Sequence, residues 1–469
     1  MQKQPIPIKL SQIGDMIQRH LGSRETINCY IGSNAATPTA SIEALTEAIK
    51  DDAMDLPFMR MLHILLHGPI PYVEKGLQDR VKVYSMFSGG EVRQAADDGR
   101  AFYLPCTLGN IDRLIGKNCG YAIDLVIAKV AQNPDTGEFS LGLSVDAIHA
   151  ALESASLVIV ELDPSMPFTQ GQSVISPNDV DYIITEGIKP VYTFDAPDFE
   201  NLPDEERRIG ELITEHFVQD GMTLQVGIGK IPDAVVGVIS QSGYKDLGSQ
   251  TELYGDGLMY LQKKGIITNK NKKINTGYST TSLIMGSQEL YDYVHMRSQV
   301  QMRPCMYTNA ARTIQDCAPF LSVNTAMGVD LTGNVWADFI NPQRYYGGVG
   351  GQPDFVRALN HRKYGVPIIA MKSLAPKGES KIVAACPSGI TLTAAAYDGV
   401  VIVTEYGIAD LRNLTMGYKA LAIASIAHPD FREPLLKSIW DDPRMTKPKG
   451  FSLDKIPPGV IPYHGKVSL

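Results

Sequence analysis

Three consecutive stretches decide the fold class: AIDLVIAKV at residues 122–130, VDAIHAALESA at 145–155 and LVIVELD at 157–163. The first and third are short runs of Val, Ile and Leu bounded by turn residues, and they read as strands buried on both faces. The middle stretch carries Val145, Ile148 and Leu152 at helical spacing. Strand, helix, strand is a βαβ unit, and its crossover makes the two strands parallel. Parallel sheets are covered on both faces, so their strands lack polar alternation.

The same alternation continues outward. EERRIGELITEHFVQDG, residues 205–221, predicts a helix with Ile209, Leu212, Ile213 and Phe217 on one face, acidic residues at its start and Gly221 as its C-terminal cap. MTLQVGIGKIPDAVVGVIS, residues 222–240, predicts a strand, a glycine turn and a helix with Pro232 near its first position. KYGVPIIAMK (363–372), ESKIVAAC (379–386) and DGVVIVTEYG (398–407) predict further strands. Between these halves, residues 190–204 hold three prolines and several acids with little apolar periodicity, which predicts a linker. The expected architecture is therefore two open α/β lobes with mainly parallel sheets, residues 1–195 and 205–469.

Composition fits that picture. A chain of 469 residues exceeds one ordinary core, and 44% hydrophobic with 20% charged residues is a globular profile. The 43 basic and 51 acidic residues give a net charge of -8, which argues against a nucleic-acid surface. The six cysteines form no CxxC pair, as expected in a reducing compartment. No apolar run has membrane-spanning length, and the N-terminus reads as neither signal peptide nor anchor, so a cytoplasmic location is expected.

Several segments carry candidate chemistry. GIGKIPDAV (227–235) lies between strand and helix, where backbone N–H groups and the helix dipole favour an anion. It lacks the third glycine of a dinucleotide fingerprint, and by itself reads equally as a structural turn. GGVGGQPDF (347–355) packs four glycines into five residues, which favours close approach of backbone to a ligand over a plain surface loop. Glu252, within DLGSQTELYGDG, reads alone as a solvated side chain or a catalytic carboxylate. Glu405 lies near a strand end, where α/β sheets bind ligands, or pairs with Arg412. His63 and His67 are four apart and would share a face on a helix, but no third ligand stands near them, so no metal is expected. Cys386 reads as a small buried hydrophobe or a thiol nucleophile.

Taken in order, LQVGIGKIPDAV, TELYGDG, YTN (307–309), VNTAMGVDLTGNVWAD, GGVGGQPDF, VTEYGIADLR and IAHPDFRE (426–433) resemble the acetyl-CoA hydrolase/transferase group of class I CoA-transferases. The 4-hydroxybutyrate and short-chain carboxylate branch looks nearest. The resemblance runs over nearly the whole chain. It implies that Glu252 is the nucleophile, that Ile228 and Gly351 supply oxyanion N–H groups, and that Asn309 lines the acyl site with Glu405 ordering it. It further implies coenzyme A contacts from Gly227, Ile228, Gly229, Lys230, Ile231, Gly347, Gly351 and Lys377. Small-molecule acyl-CoA and carboxylate partners, and a homodimer or larger even homo-oligomer, are implied too. The family often has His where Gln250 stands and Gly where Asn413 stands, so Gln250 is expected to alter the acyl pocket.

What the resemblance implies chemically is transfer of CoA between a short-chain acyl-CoA and a carboxylate, through a glutamyl-CoA thioester in a ping-pong sequence. A free Glu has a pKa of about 4.3 and is ionised without a base. Three alternatives stay open: an acyl-CoA hydrolase using the same residues, a nucleotide-binding dehydrogenase and a non-catalytic CoA-binding regulator.

Overall fold

The computed structural model describes residues 4–445 and 455–463. Its first large sheet runs in the order Ile6–Pro7, Tyr182–Ile184, Leu157–Leu162, Leu125–Gln132, Thr26–Ile31, Phe58–His63, Val81–Ser85, Ala101–Tyr103. All seven pairings along this path are parallel. Strands Leu125–Gln132 and Leu157–Leu162 lie side by side from Leu125↔Leu157 to Val130↔Leu162, as the βαβ pattern predicts. Leu125–Ala131 and Leu157–Glu161 are buried, which is why neither run alternates.

The helix between those strands is shorter than its spacing implies, only Ile148–Leu152. Asp146 holds a positive φ of 31°, and its Oδ1 accepts the Ile148 N–H at 3.1 Å, so the chain turns before the helix starts. Ahead of that turn, Phe139–Ser140 folds back antiparallel on Leu125–Gln132.

The second large sheet orders Gly248–Ser249, Thr223–Val226, Phe320–Asn324, Gly365–Ala370 and Val401–Thr404 in parallel, then adds Gly407–Asp410 and Val460–Pro462 antiparallel at the edge. Two open, mainly parallel α/β sheets are thus present. The helix Asp204–Phe217 forms as expected, with Asp204, Glu205 and Glu206 in its first turn, where they complement the dipole. Its cap is Val218, not Gly221; Gly221 takes its positive φ in a later turn. The strand expected over residues 379–386 contracts to Ile382–Val383, in a small sheet beside Gly328–Asp330. His63 ends a strand and His67 lies in the following loop, so the two share no helix.

Residues 190–203 contain no helix or strand, but they are no free tether. Tyr192 donates its N–H to Ala35 O at 2.9 Å and Phe194 its N–H to Gly286 O at 3.0 Å. Val191 and Phe199 are buried. One apolar core is continuous across the sheets: Val126, Phe139 and Val160 join Leu224, Tyr254 and Leu321 in the same cluster. A short sheet also straddles the junction, pairing Gln170–Gly171 with Val300–Met302.

Candidate active site

The strand Thr223–Val226 ends at Gly227, and the helix Lys230–Gln241 starts three residues later. Gly229 turns the chain with φ 113°, a conformation side chains disfavour. Two cavities of about 290 Å³ each flank this loop, and Gly227, Ile228 and Met285 line both. The one opening between the lobes contains Glu252.

The backbone of Glu252 is held on both sides. Thr251 N–H donates to Thr280 O at 3.0 Å, and Glu252 O accepts the N–H groups of Ser282 and Leu283 at 3.1 and 3.0 Å. Asn309 Nδ2 donates to the Glu252 Oε2 at 2.5 Å. Gly351 packs so closely that a Cβ there would stand 2.0 Å from Glu252 Oε2 and 2.3 Å from Asn309 Nδ2. Any side chain there would displace the Glu252 carboxylate and the Asn309 amide, which accounts for this part of the glycine cluster. From the first lobe, Asn34, Ile64 and Phe87 complete the wall.

Burial lifts the Glu252 pKa to about 7, with the Asp354 charge adding to the rise and the Asn309 hydrogen bond opposing it. The sequence-based expectation of a freely ionised carboxylate is therefore corrected: at neutral pH both forms are present. No Lys, Arg or His is among the described residues lining this cavity.

Glu252, Gly351, Gly227 and Ile228 thus share one cavity wall, Asn309 lies buried behind Glu252 rather than in that wall, and Gly229 lines the neighbouring cavity. The other expected residues lie further out. Lys230 is exposed at the helix start and Ile231 packs on the core. Gly347 is wedged against Phe87, one residue outside the wall residue Gly348. Lys377 is exposed on the turn where Gly378 N–H donates to Ala375 O. Gln250 is fully buried behind the site, its Nε2 donating to Thr308 O at 3.3 Å, so it touches the cavity only through its neighbours. Glu405 is also buried outside the wall, accepting the Ser373 N–H at 2.9 Å and the Ser373 hydroxyl at 2.5 Å. Arg412 pairs with Asp410 rather than Glu405.

Asp354 was missed, although it stands inside GGVGGQPDF. Its Oδ2 accepts the Gly109 N–H at 2.8 Å and faces Asn309 Nδ2 at 3.3 Å, joining a first-lobe loop to the site. Gln225 and Asn324, at the ends of adjacent strands, also line the cavity and belong to no recognisable spacing. Among the described residues no cluster of three or more potential ligands could hold a metal, and all six cysteines are free. Burial raises the Cys386 thiol, which disfavours the nucleophilic thiolate. No described helix is long and apolar enough to cross a membrane.

Residues 23–194 match the acetyl-CoA hydrolase/transferase N-terminal domain, and residues 286–439 match its C-terminal domain. The 4-hydroxybutyrate coenzyme A transferase of Clostridium kluyveri is 36% identical over 81% of this chain and 86% of its own length. A succinyl-CoA:acetate/propanoyl-CoA:succinate CoA transferase of Fasciola hepatica is 32% identical over 89% of this chain and 85% of its own. An acetyl-CoA hydrolase of Schizosaccharomyces pombe is 26% identical over 68% and 66%. Among solved structures, RipA from Yersinia pestis superposes with a TM-score of 0.80 at 29% identity, covering 93% of this chain and 97% of that one. With both domains matched and the similarity spread along most of its length, the chain belongs to the acetyl-CoA hydrolase/transferase family.

Proposed function

We propose that the protein is a CoA-transferase that moves CoA between a short-chain acyl-CoA and a carboxylate, with Glu252 as covalent nucleophile. The observation that carries this reading is a Glu252 carboxylate that lines one cavity with Gly351 and the Gly227–Ile228 turn and is held from behind by the Asn309 amide. Ionised Glu252 attacks the thioester carbonyl, and the C–S bond breaks to give a mixed anhydride and CoA thiolate. The thiolate then attacks the glutamyl carbonyl, releasing the first acid and leaving a glutamyl-CoA thioester. A second carboxylate reverses both steps and leaves as the new acyl-CoA. The thioester's energy is conserved, and no metal is required.

Each addition places negative charge on a carbonyl oxygen. Backbone N–H groups of Ile228 and Gly351 are the proposed donors, and losing one such donor typically costs about 3 kcal/mol in the transition state. Coenzyme A would follow Gly227, Ile228, Gly229, Lys230 and Ile231, with Gly347 and exposed Lys377 contacting parts of it that lie outside the cavity. Its binding energy would drive steps at the distant thioester.

The relatives' named acids include 4-hydroxybutyrate and succinate. Within this cavity a second carboxylate would be buried near Glu252 with no lining cation to pair it. That is costly, so acids with a single carboxylate are the proposed substrates. A cytoplasmic even homo-oligomer of two-domain chains, 1–195 and 205–469, belongs to the same reading.

A hydrolase would use the same residues with water as acceptor, as the name of the Schizosaccharomyces pombe relative illustrates. Initial rates with acetyl-CoA and varied butyrate decide between them. Parallel double-reciprocal lines, with CoA release near zero in the absence of butyrate, are expected. Butyrate-independent CoA release at the full rate would replace transferase by hydrolase.

A further inference from the structure

Asn309 Nδ2 faces two carboxylate oxygens, Glu252 Oε2 at 2.5 Å and Asp354 Oδ2 at 3.3 Å, while Asn309 Oδ1 lies 2.8 Å from Thr308 Oγ1. Flipping the amide would set its carbonyl oxygen against both acids. The NH2 group therefore points at the carboxylates, and Oδ1 must accept from Thr308. Thr308 has one hydroxyl proton. Its other acceptor, Cys305 O, is further away at 3.4 Å. With that proton given to Asn309, the 2.5 Å contact between Ser282 Oγ and Thr308 Oγ1 is donated by Ser282.

Both hydroxyl residues are fully buried, so water does not replace these bonds. Ser282 serves the site twice, because its N–H also donates to Glu252 O at 3.1 Å. Its own carbonyl accepts the Val145 N–H of the first lobe at 3.0 Å. One residue therefore ties the nucleophile's backbone, the hydroxyl relay and the lobe junction together.

We infer that Ser282 and Thr308 are positioning residues that lock the Asn309 amide with its NH2 group toward Glu252. This inference rests on the reading of Glu252 as the nucleophile. The titratable groups facing Glu252 are Asp354, from the helix Gln352–Ala358, and Cys305, from the helix Cys305–Thr308. Asp354 disfavours the ionised form, and the Cys305 thiol is kept neutral by burial. The Asn309 donor favours ionised Glu252, and it does so only in the locked orientation. Without the Thr308 hydroxyl, the amide loses the partner that rewards that orientation, and the carboxylate becomes harder to ionise.

The test is the pH dependence of kcat/KM for one acyl-CoA in wild type, Thr308→Val and Thr308→Ser, with thermal melts on each. Thr308→Val keeps the shape and removes the hydroxyl; Thr308→Ser keeps the hydroxyl. The expected result is an acidic limb moved up by about one unit in Thr308→Val, a tenfold loss well below it, and a wild-type limb in Thr308→Ser. An unmoved limb in Thr308→Val, or an equal shift in Thr308→Ser, overturns the inference. If Thr308→Val does not fold, Thr308→Ala, which also removes the hydroxyl, is read the same way, and an unmoved limb there overturns the inference. The wild type is assayed in parallel for a covalent adduct on Glu252. An absent adduct refutes the nucleophile itself, whereas an adduct with an unmoved limb refutes only the relay.

Discussion

The Glu252 carboxylate is enclosed, and burial raises its pKa to about 7. That has a consequence for stability. A carboxyl with a raised folded-state pKa binds its proton more tightly folded than unfolded. The cost is absent below the unfolded pKa, grows as pH rises from about 4.5 toward 7, and stays constant above. Glu252→Gln removes the titration while keeping the shape. The variant is expected to be more stable than wild type at pH 8, by on the order of 1–3 kcal/mol, with the gap closing toward pH 5. Denaturant melts at the two pH values check this; a gap independent of pH would contradict the buried-carboxylate account. Glu252, Asn309 and Gly351 were legible as residues because each stands in an ordered motif. The raised pKa was not, since it comes from walls contributed by Ile64, Phe87 and Asp354, distant in sequence.

At the scale of elements, the glycine loop is held by a loop from the other lobe. Thr107 bridges Gly350, Leu108 N–H donates to Gly350 O at 3.3 Å, and Gly109 N–H donates to Asp354. A Cβ on Gly109 would meet the Asp354 carboxylate at 3.0 Å. Gly109→Ala should therefore push Asp354 and the Asn309 contact out of place. A several-fold fall in kcat with an almost unchanged melting temperature is expected, since the Asp354 carboxylate need shift by only a few tenths of an ångström, yet it contacts the Asn309 amide that holds Glu252. Wild-type kcat in this variant would show that the clasp is dispensable. Long Val- and Ile-rich strands were legible from composition alone, as in Leu125–Gln132 and Val401–Thr404. The short length of Ile382–Val383 was not, because it is set by pairing with Val329 and Asp330, which are distant in sequence. The early end of the helix Asp204–Phe217 was equally hidden, since Val218 reads as helical until its extended ψ of 139° is known.

Across the whole molecule, two sheets share a core, and the apolar cluster that contains Tyr254 draws residues from both. The composition shift near residue 190 falls between strand Tyr182–Ile184 of the first sheet and Thr223–Val226 of the second, and it conceals how tightly the segment is tied to Ala35 and Gly286. Contacts of that range leave no local periodicity, so the lobe junction, and with it the cavity, was beyond reading from sequence. A shared core predicts one cooperative unfolding transition rather than two. Calorimetry showing two separated transitions would mean that each lobe is stable alone.

The most direct test of the central claim is the mass of the Glu252 peptide after incubation with a panel of short-chain acyl-CoAs and trapping with borohydride, in wild type and Glu252→Ala. Borohydride reduces a glutamyl thioester to the alcohol, so a small mass loss confined to Glu252 in the wild type is the predicted result. An unmodified Glu252 peptide across the panel, in enzyme that still exchanges CoA between acids, would contradict the covalent mechanism.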